Sequence, residues 1–169
     1  MMGMKATMPA SFFHSFLETP IFFLTVKVRF GLPVLGDEAA HAILRTAWLR
    51  SAVRDRWFVG HYRVLPDGVS LLACPGHETR SVTAWAAGWQ AAAAVRIKQV
   101  TGGHGQLWES GAPPAPVVSA AEYAARYAVL LVDPVGSDHR GVFVAAGHGG
   151  RLWQLLPVDV PDSAAVVAR

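Results

Sequence analysis

Charge is scarce in this chain of 169 residues, and cysteine scarcer. Only 16% of the residues are Asp, Glu, Lys or Arg, and Cys74 is the single cysteine. One thiol excludes an internal disulfide and any metal site built from several cysteines. Because it falls in the apolar run 69–74, an inert core thiol is the expectation. Histidine is better represented, with seven copies, but His14, His41, His104, His139 and His148 lie without ligand spacing, a cation site built from His61 and His77 has no geometric support, and no His-x-His occurs. Long apolar runs are missing as well. His14, Ser15, Glu18 and Pro20 interrupt the one near the start, which leaves neither a secretory signal nor the ~20 apolar residues of a membrane helix. The expectation is a cytoplasmic protein without a membrane partner. Gly102, Gly103 and Gly105 lack the lysine that a phosphate-binding loop requires, so they read as a helix stop.

What is present is apolar. Hydrophobic residues make up 52% of the chain, which excludes a disordered protein and, at this length, suits one domain with a genuine core. We expect a loose leader over 1–20, one domain over 21–156 and a flexible tail over 157–169. A formal net charge of +3 permits a nucleic-acid partner without requiring one.

The most informative stretch is 57–75, WFVGHYRVLPDGVSLLACP. Two β-rich runs flank Pro66-Asp67-Gly68, where proline pre-sets φ, aspartate bonds its own backbone and glycine tolerates positive φ. So apolar a hairpin belongs in the middle of a sheet with helices over at least one face. On it, His61 is expected to share a face with Val59 and Arg63. Before the hairpin, 21–30 reads as a strand in which Thr25, Lys27 and Arg29 alternate with Val26, Val28 and Phe30. Asp37 caps a helix reaching about residue 55, with Ala40, Ile43, Leu44, Ala47 and Trp48 as its apolar stripe. A second helix starts at Thr79 or Ser81 and reaches about Val100, with Trp85 and Trp89 on one face. Residues 103–116 read as a loop. Ser119 and Glu122 make a capping box for a third helix bearing Tyr123 and Tyr127. Strands follow at 141–146 and 151–156. This order points to an α+β, ferredoxin-like antiparallel sheet with helices packed on it.

Several of these pieces together resemble the REP-associated tyrosine transposases and related single-strand insertion-sequence transposases. YRVLPDGVSLL resembles the family's hairpin, in which Leu/Met-Pro, a polar residue and His-hydrophobic-His follow one another. Gly105-Gln106-Leu107-Trp108 resembles the segment before the nucleophile helix, and SAAEYAARYAVLLVDPV (119–135) resembles that helix. The resemblance implies DNA strand transfer: two histidines on one strand hold Mg²⁺ or Mn²⁺, and a tyrosine attacks the phosphate that the cation polarises. It places the nucleophile at Tyr123 and the two metal ligands at Gly68 and Ser70, neither of which can replace an imidazole. Asp133 stands at the family's Asn. A degenerate member without a metal cofactor, catalytically inactive and retaining single-stranded or hairpin DNA, is therefore implied.

Arg45, Arg50, Arg54, Arg56, Arg96 and Lys98 are the candidate phosphate contacts, with Trp48 and Trp57 as stacking surfaces. The same residues also describe a solvated helix face above core tryptophans, and Tyr123 four before Tyr127 describes a packed helix side. The alternative function is a ferredoxin-like interaction module that binds no DNA. Oligomeric state, monomer or homodimer, stays open.

Overall fold

The computed structural model describes residues 20–76, 80–131 and 143–146. Its order is β1 (Ile21–Lys27), α1 (Glu38–Arg54), β2 (Trp57–Leu65), β3 (Gly68–Pro75), α2 (Val82–Thr101), β4 (Ala115–Val117), α3 (Ala120–Leu131) and β5 (Phe143–Ala146). The strands form one antiparallel sheet in the order β4-β1-β3-β2-β5. The first four strands with α1 and α2 make the ferredoxin-like α+β frame, and β5 extends it beyond β2.

Two apolar clusters show which face each helix covers. Leu24, Val26, Val64, Val69 and Leu71 pack with Leu44 and Trp48 of α1 and with Trp85, Trp89 and Ile97 of α2. On the opposite face Ile21, Phe23, Leu72 and Cys74 pack with Tyr123, Tyr127 and Leu130 of α3. A hairpin buried on both faces reads as nearly continuous apolar sequence, as 57–75 does.

Helix starts follow the expected chemistry. The Asp37 carboxylate accepts from the Ala40 N–H at 2.7 Å, and Ser81 Oγ from the Ala84 N–H at 3.2 Å. Ser119 Oγ accepts from the Glu122 N–H at 3.1 Å, while the Glu122 carboxylate reaches back to the Val118 N–H at 3.0 Å. Gly102, at φ +70°, closes α2 in the left-handed conformation.

Four expectations are corrected. The stretch 103–116 is not all loop: β4 begins at Ala115 and pairs with Ile21–Phe23; Pro116 is tolerated because β4 lies at the sheet's edge, where a missing N–H breaks no internal ladder. β1 ends at Lys27, and Phe30 leaves the alternation with φ 61° and 82% exposure. Val59 lies on the α1–α2 side with Tyr62, because a register shift between them reverses the alternation, so it does not share a face with His61. Gly68 is not among the residues with positive φ. What it supplies is space: a Cβ there would stand 3.0 Å from the Val26 carbonyl oxygen. Residues 1–19, 151–156 and the tail lie outside the described residues.

Candidate functional site

Alternation along β3 sends Ser70 to the same face as Leu72 and Cys74, which is the α3 side, and Gly68 follows it. The register then builds a cross-strand polar row. Thr25 of β1 stands opposite Ser70, and Arg63 of β2 stands opposite Ser70 from the other side. The Thr25 and Ser70 hydroxyls lie 3.2 Å apart, and Arg63 is 7% exposed. One row on, exposed Lys27 pairs with Gly68.

From α3, Tyr123 and Tyr127 reach this face with their rings parallel (8°) and 6.4 Å apart. Tyr123 is sealed: the residue is 4% exposed and its hydroxyl has no solvent access. Burial pushes its phenol well above the ordinary value of about 10, with smaller contributions from Tyr127 and Cys74. Tyr123 shares its apolar cluster with Cys74, at the far end of β3. Cys74 is four residues from Ser70, roughly 13 Å along a strand. Tyr127 stands one helical turn later, edge-on to His61 with centroids 4.6 Å apart. Burial lowers the His61 imidazole below its usual value, which favours the neutral ring.

The donor set does not fit the divalent cation that the resemblance associates with this place. Gly68 contributes no side chain, and Ser70 offers a neutral hydroxyl in hydrogen-bond reach of Thr25. The nearest charged side chain in the row is a guanidinium, which repels a cation.

The candidate phosphate contacts fall elsewhere. Arg50, Arg54 and Arg96 line one groove between α1 and α2, on the layer opposite α3. Arg45 lies on α1, close enough to act on His41 and Tyr62. Arg56 occupies the α1–β2 junction with φ 54°, and Lys98 donates from Nζ to the Gly105 carbonyl at 2.9 Å. Thus the structure brings three of the six together and ties Lys98 to a loop. Trp48 and Trp57 are 5% and 1% exposed, so neither offers a stacking surface. Trp57 stacks on Trp85, and its Nε1 donates to the Arg80 carbonyl. Sequence reasoning missed the row formed by Thr25, Ser70 and Arg63; its signal was the polar residue recurring in otherwise apolar strands, but only the pairing register joins the three. His77 and Asp133 lie outside the described residues.

The chain is similar in fold to a REP-associated tyrosine transposase. That protein was solved bound to a REP hairpin; the two superpose with a TM-score of 0.55 at 14% identity, covering 69% of this chain and 67% of that one. At that identity the likeness shows the architecture. No protein-family model and no curated protein matches the sequence.

Proposed function

We propose that this protein is a transposase-like DNA-binding protein that holds single-stranded or hairpin DNA and does not carry out metal-dependent strand transfer. The observation that carries this reading is the pairing of a transposase-like fold with the residues at its expected metal position. Gly68 and Ser70 occupy one face of the central strand beneath α3, and neither can serve as an imidazole ligand.

Chemistry supports the loss of the reaction. A phenol attacks a phosphodiester only as the phenolate or with a base beside it. Tyr123 has its hydroxyl enclosed and its ionisation pushed further from neutrality. Loss of a polarising cation removes several kcal/mol of charge stabilisation, and each ~1.4 kcal/mol is a factor of ten in rate. DNA retention is the part that survives such changes, because backbone binding depends on cations spread over a surface rather than on one exact site.

The test is to incubate the protein with labelled REP-type hairpin DNA and Mn²⁺. The expected outcome is a salt-sensitive complex and no covalent adduct on denaturing gels. An adduct mapping to Tyr123 would overturn the inactivity, and no retention at low salt would overturn DNA binding.

A further inference from the structure

The groove between α1 and α2 carries an inference of its own, which rests on the DNA-binding reading. The two helices run antiparallel: Ser51 Oγ accepts from Trp85 Nε1 at 3.0 Å, and Trp48 meets Trp89 edge-on at 5.8 Å. Where small side chains face each other, at Ala47, Ala92 and Ala93, they leave a cleft of about 240 Å³. Its rim is cationic. Arg50 and Arg54 stand one turn apart on α1, Arg96 contributes from α2, and no carboxylate lines the cleft. Arg54 pairs with Asp55 at 2.8 Å, whereas among the described residues neither Arg50 nor Arg96 makes an ion pair.

We propose that this groove binds the phosphodiester backbone of a single DNA strand, on the helical layer and remote from Tyr123 and Ser70. Charge complementarity selects the occupant. A second copy docking by the same groove would bring arginine against arginine. A neutral apolar ligand would gain nothing from the exposed guanidinium groups of Arg50 and Arg96. A phosphate strand satisfies them, since guanidinium donors match phosphate oxygens in pairs. Trp89 beneath the cleft is 1% exposed and supplies a rigid wall rather than a stacking face.

The test measures affinity of the full chain for a labelled oligothymidine strand between about 50 and 200 mM salt. Each phosphate contact contributes about 0.7 to the slope of log K against log salt for single strands. The double replacement Arg50→Gln with Arg96→Gln should lower that slope by about 1.4. Ala92→Glu, at an exposed helical position, should weaken binding without unfolding the chain, as circular dichroism would verify. Wild-type slope retained in the double variant would overturn the groove while leaving DNA binding intact. No binding by the wild-type chain would instead overturn the DNA reading on which the groove depends. A change of oligomeric state in the double variant, with the slope unchanged, would reassign the groove to contact between copies and also overturn the proposal.

Discussion

Gly68 and Ser70 are two small residues on the α3 face of the central strand, and their size limits what that place can hold. Gly68 is required by proximity rather than by φ. The Val26 carbonyl 3.0 Å from its missing Cβ belongs to β1, which is paired with β3 from Phe22 to Lys27, so it has little freedom to retreat. Gly68→Ala is therefore expected to destabilise the fold by about 1 kcal/mol or more, the lower range for forcing an extra carbon into a packed site, read as a lowered urea midpoint. A histidine at this position would meet the same carbonyl first. The sequence identified residue 68 as special through the turn Pro66-Asp67-Gly68 but assigned the wrong cause, because turn propensity is local and a neighbouring strand's carbonyl is not. Tyr123 has the same character. Its place on the apolar side of α3 was legible from the spacing to Tyr127, whereas the sealing of its hydroxyl is produced by the sheet beneath.

Among the elements, the helices were read almost completely, since their ends are written in nearby residues. Asp37, Ser81 and Ser119 each accept the N–H that capping chemistry assigns them. Asp37→Ala should cost about 1 kcal/mol by removing a side-chain acceptor at the start of α1; Asp37→Ser should recover most of it, and paired thermal melts would check both. Strands were read less well. β4 is three residues long and includes Pro116, so nothing in its own composition announces a strand; it exists because the edge of β1 offers partners. The shift between Val59 and Tyr62 has Gly60 as its one local signal, and an interior glycine marks a bulge without saying which face the following residues take. That shift decides which side His61 occupies, and hence that it meets Tyr127.

Across the whole molecule, the two helical layers divide the candidate machinery. α3 packs its tyrosines on the sheet face that also carries Ser70 and Arg63, while Arg50, Arg54 and Arg96 line the far side. A pH response follows from both layers. Burial is the main cause lowering the imidazoles of His61, under α3, and His41, which lies 2.9 Å from the Tyr62 hydroxyl on the α1 side. The folded chain therefore binds fewer protons than the unfolded chain around the ordinary value of about 6.5, so stability present above it is lost as pH falls through it. Urea midpoints measured from about pH 7 to pH 5 should decline, and His61→Asn should flatten that decline. An unchanged pH slope in the variant would show that His61 titrates alike in both states.

By itself the sequence determined the α+β class, the three helices with their caps, the central hairpin and the absence of a His-x-His pair. These depend on interactions within a few residues, or on residue types that no fold can alter. Tertiary structure decided the short edge strand, the face of His61, the joining of Thr25, Ser70 and Arg63 into one row, and the separation of the arginine groove from the tyrosines. Each of these depends on register and layer order, which arise only when segments distant in sequence pair and pack.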